Sequence, residues 1–310
     1  MSLTRIGVAG LGLIGGSIAR RLAEQPDMYE PIGFDVQRQP RSGLELADSL
    51  EQLAEGADMV VVAVPPHVTG EVVRTLLDAD PDVLVTDVSS VKAPIVDEVG
   101  LHPRFLPSHP LAGSESAGWS AARAELLQGA TWAVCPPAED ASPELLCRWA
   151  AVFDAFDARV IVCDPQEHDR AVAQTSHVPH VVAATLAAAI AQSSAPPLTA
   201  ALSGGSFREV ARVAASDPAL WSEILELNEQ NVTAVLDGLR ADMGVRPDWD
   251  LAGEMSRLVR ELRWQPPAWE HRDFVWPAWN VLLELGRNGI AIRRPAMENE
   301  RLRVDVAVRS

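Results

Sequence analysis

Cysteine is scarce. The 310-residue chain has three, Cys135, Cys147 and Cys163, with no CxxC spacing among them. An odd set of this kind excludes a disulfide frame and a cysteine-based zinc site, and reads as reduced, mostly buried thiols. Positive charge is short as well: 26 Lys and Arg stand against 43 Asp and Glu, for a formal net charge of −17. Such a balance repels nucleic acid and anionic membrane surfaces, so neither is expected as a partner. An anionic ligand then needs locally placed arginines. Long apolar runs are also missing, since the longest apolar region, "VVAATLAAAIA", is too short to span a bilayer. The opening "MSLTRIGVAGLGLIGGSIARR" is rich in glycine and enters a strand pattern within four residues, unlike a secretory signal. A cytoplasmic protein is expected.

What is present is ordinary globular material, 47% hydrophobic and 22% charged, of a length that suits two domains or one with an appendage. Up to about residue 164, short Val/Ile-rich runs such as "RIGVAG", "DMVVVAVP" and "RVIVCD" alternate with amphipathic stretches. That alternation predicts a parallel, doubly wound α/β sheet over residues 1–164. From "DPQEHDRAVAQTSHVPH" onward every signal is helical, which sets off residues 165–245 as an all-helical unit. Pro179 inside the first helix predicts a kink there, and Ser206–Ala214 and Pro218–Met243 read as two further helices. Residues 246–310 form a Trp- and Pro-rich tail of unassigned fold, holding five of the nine tryptophans. Its "IAIRR" and "RLRVDVAV" alternate as a hairpin would. The tail is expected to pack on the helical unit or on a partner subunit.

"VAGLGLIGGS" places Gly10, Gly12 and Gly15 in GxGxxG order, with Leu13 and Ile14 inside the turn, between a strand and a helix. In that context the glycines allow a tight turn, backbone approach to a pyrophosphate and close helix packing. Asp35, twenty positions after Gly15, is placed to hold ribose hydroxyls and repel a 2′-phosphate, which selects NAD over NADP. Arg38 and Arg41 nearby pull the other way. Beyond the cofactor, Ser89 and Ser90 fall where a strand meets a helix, and at least one is expected to cap that helix. His109, in "PSHPLAGSESAG", ends the next strand among residues too small to form a pocket of their own. His177 and His180 share a helix face, but no third ligand lies at suitable spacing and no metal is expected. Arg212 reads either as a carboxylate clamp or as a solvated partner of Glu209.

In order and spacing, "GLGLIGGS", "DVSSVK", "HPLAGSE", "SHVPH", "GGSF" and "ARVAASDPALW" resemble the prephenate/arogenate dehydrogenase family of tyrosine biosynthesis, over roughly residues 4–243. The resemblance implies a Rossmann domain followed by a helical domain that forms a homodimer. It also implies NAD-dependent oxidative decarboxylation of prephenate to 4-hydroxyphenylpyruvate, or of arogenate to tyrosine. His109 then contacts the ring hydroxyl of the substrate, with Ser90 hydrogen-bonding beside it. Arg212 binds a substrate carboxylate, while His177, His180, Glu115, Trp221 and the glycine-loop residue Gly205 line the substrate pocket. Ser206 departs from the third glycine that many relatives carry there. A neutral His109 accepting a hydrogen bond from the hydroxyl predicts an acid limb near the ordinary histidine range of about 6–7. Two rival readings remain. One is another Rossmann-plus-helical dehydrogenase of the 3-hydroxyacid or imine type, which typically uses a catalytic lysine in the helical half, where residues 165–243 hold none. The other is a non-catalytic NAD-responsive binding protein.

Overall fold

The structure, a computed structural model, describes residues 3–37, 43–114, 116–136, 143–242, 248–261 and 267–308. Its first sheet is built from β1 (Thr4–Ala9), β2 (Tyr29–Phe34), β3 (Glu45–Leu46), β4 (Met59–Val62), β5 (Leu84–Asp87) and β6 (Phe105–Leu106), interleaved with α1 (Leu13–Ala23), α2 (Leu50–Glu55), α3 (Pro66–Ala79) and α4 (Ala93–Val99). The strand order is β3-β2-β1-β4-β5-β6, and every pairing is parallel. All four residues of the β4 run "MVVV" are buried, as a strand covered by helices on both faces requires. The order reverses between β1 and β4, so ligands are expected beyond the carboxyl ends of these strands.

The single parallel sheet expected over residues 1–164 ends at β6, and a second six-stranded sheet with antiparallel pairings follows. β7 (Ser108–Pro110) resumes one residue after β6, and β8 (Thr131–Val134), α5 (Pro143–Ala155) and β9 (Arg159–Val162) continue it. The helical unit comes next: α6 (Pro165–Val172), a π-helical turn (Ala173–His177), α7 (Val178–Ala191), α8 (Pro196–Ala201), α9 (Gly205–Ala214), α10 (Pro218–Leu227), α11 (Glu229–Asp242) and α12 (Trp249–Val259). Asp164 caps α6 by accepting from the Gln166 and Glu167 amides, and Asp217 caps α10 through the Ala219 amide. The expected proline kink is absent in that form. Pro179 sits in the first turn of α7, where its missing N–H costs nothing, and the irregularity is the π turn before it. The single helix expected over Pro218–Met243 is two, broken at Asn228.

The tail forms β10 (Ala268–Val275), α13 (Trp279–Arg287), β11 (Ile292–Glu298) and β12 (Arg301–Val308), and the hairpin expectation holds as the antiparallel pair β11–β12. Its placement was not foreseen. It joins the second sheet, in the order β10-β12-β11-β9-β8-β7, through an antiparallel pairing of Ile292 with Val160. Trp279, Leu282, Ile292, Leu302, Val304 and Val306 are buried in one core with Trp132, Trp149, Phe153 and Phe156. Gly286 makes this docking possible, since a Cβ there would stand 1.8 Å from the Val162 carbonyl oxygen. The tail thus completes the α/β half, and the expected packing on the helical unit is replaced by strand addition and burial of its aromatic face.

Candidate active site

The nucleotide loop lies between β1 and α1. Gly10 has φ of +91°, and a Cβ on Gly15 would meet the Gly10 carbonyl oxygen at 1.9 Å. Side chains at either position are therefore excluded by strain or overlap. Around Gly12, by contrast, a Cβ would meet nothing within 4 Å. That open space at the helix N-terminus suits a pyrophosphate approaching the backbone, with Leu13 and Ile14 opening α1 behind it. Asp35 is tied to the loop: Oδ2 accepts from the Leu11 amide at 2.8 Å and Oδ1 from the Gln37 amide at 2.7 Å. Each carboxylate oxygen keeps a lone pair for a ribose hydroxyl. Asp35 also lines a cleft with Phe34, Val36, Ser49 and Leu50. The residues present fit NAD. Arg38, Arg41 and Glu115 lie outside the described residues.

At the end of β5 a fully buried ion pair organises the reacting edge. The Lys92 ammonium is hydrogen-bonded to Asp87 Oδ2 and donates to the Ser108 carbonyl at 2.7 Å. Asp87 also accepts from the Ser89 and Ser108 amides, so one carboxylate joins the β5–α4 loop to β7. Burial pushes the Asp87 carboxyl up, and Lys92 pulls against it. Neither serine caps α4, contrary to expectation. The cap comes from across the fold, where Asp169 of α6 accepts from the Lys92 amide at 2.8 Å and the Ala93 amide at 2.9 Å. The Ser89 hydroxyl is left buried without a partner, and Ser90 makes no hydrogen bond to His109 among the described residues. The contact expected of Ser90 is with the substrate hydroxyl, and another side chain holds the His109 ring itself.

That side chain is His168, which sequence reasoning missed. His109 Nδ1 lies 3.0 Å from His168 Nε2, and His168 Nδ1 lies 2.7 Å from Asp169 Oδ1. The two imidazoles meet edge to face. His109 is partly buried rather than exposed, and burial, aided by the nearby His168, Lys92 and His177, holds its pKa well below the ordinary histidine value. The acid limb is therefore expected below the range of about 6–7.

The helical unit closes the other side. His180 stacks on Trp221 with ring centroids 3.7 Å apart, and His177 meets the same indole edge-on at 5.8 Å. Asn228, the residue that breaks the long helix, donates from Nδ2 to the Asp169 carbonyl at 2.9 Å. A carbonyl can only accept, so the amide orientation is fixed, and the same nitrogen donates to His177 Nδ1 at 3.0 Å. His177 therefore carries its proton on Nε2, which is buried and unpartnered, a donor in want of an acceptor. Burial lowers the His177 pKa to about 4 and lowers that of His180, to which the Arg212 charge adds. Arg212 itself is more than half exposed and paired with Glu209 at 3.2 Å. Gly205 begins α9 instead of lying in a loop, because Gly204 takes the cap position.

His109, Asp87, His168, His177, His180 and Trp221 thus belong to one connected cluster, built from the carboxyl edge of the α/β half and the first helices that follow it. Two family models match the chain: "Prephenate dehydrogenase, nucleotide-binding domain" over residues 32–162 and "Prephenate dehydrogenase, dimerization domain" over residues 164–263. The first match begins after the glycine-rich loop, so that loop stands on its own geometry. A cyclohexadienyl dehydrogenase of Zymomonas mobilis is 34% identical over 253 residues, covering 77% of this chain and 85% of that protein. Among solved structures, a Corynebacterium glutamicum chain assigned as a prephenate dehydrogenase superposes with TM-score 0.76 at 27% identity, covering 92% of this chain and 97% of that one. A prephenate dehydrogenase from A. aeolicus, solved with hydroxyphenyl propionate and NAD+, gives 0.70 at 26% identity, over 84% and 92% of the two chains. With a relative this similar over most of its length, and both halves of the fold matched in order, the chain belongs to the prephenate dehydrogenase family.

Proposed function

We propose that the protein catalyses NAD-dependent oxidative decarboxylation of prephenate to 4-hydroxyphenylpyruvate, or of arogenate to tyrosine. The observation that carries this reading is His109, partly buried on β7 with Nδ1 against His168 and its cation disfavoured by burial, in a chain whose glycine loop fits NAD. When bound, NAD+ supplies the acceptor for a hydride from the ring carbon that bears the hydroxyl. Gly10, Gly12, Leu13, Ile14, Gly15 and Asp35 would hold it. His109 accepts the hydroxyl proton as that carbon is oxidised, and loss of the ring carboxylate as CO2 leaves an aromatic ring. The His177 Nε2–H offers a hydrogen bond to a substrate oxygen, and the Trp221–His180 stack supplies a flat wall. Ser90 is assigned to the substrate hydroxyl and the cofactor on the family resemblance. Gly205 and Glu115 are assigned to the pocket margin on the family resemblance alone.

Arg212 is assigned to a substrate carboxylate, which exchanges for Glu209. Arg212→Ala is expected to raise the substrate KM by about tenfold to a hundredfold, the worth of a charge-assisted hydrogen bond. The KM for NAD+ should not change. A substrate KM equal to that of the wild type would leave Arg212 as a surface partner of Glu209.

The working form is read as a cytoplasmic homodimer. The matched dimerization domain supports the dimer, as do the exposed apolar residues Val182 and Leu186 of α7, Leu198 of α8 and Leu202 just after it. Among the described residues no helix is long and apolar enough to cross a membrane. Prephenate and arogenate, each offered with NAD+ and with NADP+, test the function by absorbance of the reduced nicotinamide. At least one of the two should be turned over, with NAD+ favoured on the order of a hundredfold by the Asp35 carboxylate. No turnover of either would sink the assignment, and equal use of NADP+ would remove Asp35 from its role.

A further inference from the structure

His109 has two nitrogens, and a proton acceptor requires that the one facing the substrate be bare. Which nitrogen carries the proton is set by the hydrogen bond the other makes. Asp169 accepts from two backbone amides, Lys92 on Oδ1 and Ala93 on Oδ2, and backbone amides only donate. Its carboxylate is therefore an acceptor at both oxygens, and His168 Nδ1, 2.7 Å from Oδ1, must be the donor. One assignment satisfies the chain without placing a charge on either ring. His168 Nε2 is bare and accepts, and His109 Nδ1–H donates to it across 3.0 Å. His109 Nε2 is left bare.

We infer that His168 and Asp169 are positioning residues that lock His109 in its Nδ1–H tautomer, so that Nε2 is held ready to accept the ring hydroxyl proton. The inference rests on the reading of His109 given above and assigns the reason that reading works. Asp169 suits the task because it barely moves: it caps α4 with its carboxylate, and its carbonyl accepts from Asn228. His168 and Asp169 are both buried, so solvent does not compete for their hydrogen bonds. The device joins α4, α6 and the junction of α10 with α11 to the strand that carries His109. The lock also spans the two matched regions, because His109 lies in the nucleotide-binding part and His168 and Asp169 in the part that follows. Without an acceptor at Nδ1, an imidazole places its proton largely on Nε2, and the ring would then offer the substrate a donor.

The test compares His168→Leu with His168→Gln in the full-length protein. Glutamine presents a carbonyl to His109 and an amide N–H to Asp169, which keeps the lock without a titrating ring. Leucine fills the space and offers nothing. Nitrogen-15 spectra of the imidazoles, with the His109 signals identified by their loss in His109→Asn, should show Nδ1 protonated and Nε2 bare in wild type and in His168→Gln. In His168→Leu the proton should appear on Nε2, and kcat should fall by about tenfold to a hundredfold, with the KM for NAD+ unchanged. His168→Gln should restore most of kcat. An Nε2–H on His109 in the wild-type protein would overturn the inference. So would a glutamine variant as impaired as the leucine one, or a leucine variant with wild-type kcat. Because the spectra read the resting protein, they judge the lock whether or not His109 proves to be the base.

Discussion

Lys92→Met is expected to destabilise the fold by about 3–5 kcal/mol, because it leaves the buried Asp87 carboxylate without its cation. Lys92 is the only lysine in the chain, and both it and Asp87 are wholly inaccessible to solvent. Removing one charge forces the other either to stay ionised in a dry interior or to bind a proton, and both are costly. The carboxylate would still accept from the Ser89 and Ser108 amides, which softens the loss without cancelling it. Denaturant melts of the wild type, Lys92→Met and the double variant Lys92→Met/Asp87→Asn give the measurement. The double variant should recover part of the loss, since no unpaired charge remains. A single variant within about 1 kcal/mol of wild type would mean that the pair contributes no more than an exposed one.

His109→Asn carries the largest expected effect on rate. Asparagine keeps a polar side chain of similar reach and removes the proton acceptor, so kcat should fall by roughly 10²–10⁴-fold. Binding of NAD+, measured separately, should be intact because Gly10, Gly15 and Asp35 do not touch this ring. The scale of the loss matters: a drop of only a few-fold would make His109 a wall of the pocket, and His180 would become the next residue to replace.

The α/β half was legible because its signals are local. Buried Val runs and a glycine turn each show within a few residues and fall where the alternation predicted, whereas His109 lies within β7 of a second, mixed sheet that the alternation did not separate from the first. The tail hairpin was legible for the same reason, since "RLRVDVAV" buries every second residue through Leu302, Val304 and Val306. Its partner was not, because the pairing of Ile292 with Val160 is a contact between distant parts of the chain and leaves no mark on either segment alone. The site divides in the same way. His109 could be singled out by its neighbours, but His168 and Asp169 sit in "DPQEHDRAV", which reads as the first turns of a helix. Their one available signal was a His-Asp pair just after a strand end, on the edge where ligands bind. Asn228 hid similarly within an apparently continuous helix, which it interrupts while its amide serves Asp169 and His177. The serines misled because the cap they seemed to offer α4 is supplied by Asp169, 76 and 77 residues away in sequence.

The pH dependence of kcat/KM for the cyclohexadienyl substrate tests the central claim most directly, because it reports the free protein. His109 must be neutral to accept a proton, and its pKa is held below the ordinary value, so the active form persists as pH falls through the usual histidine range. Activity should be lost only as pH drops through that depressed pKa. The account predicts a profile that stays level through the ordinary histidine pKa of about 6.5, with a single acid limb below it, and no such limb in His109→Asn. A midpoint at or above 6.5, or an acid limb that survives in His109→Asn, would contradict it.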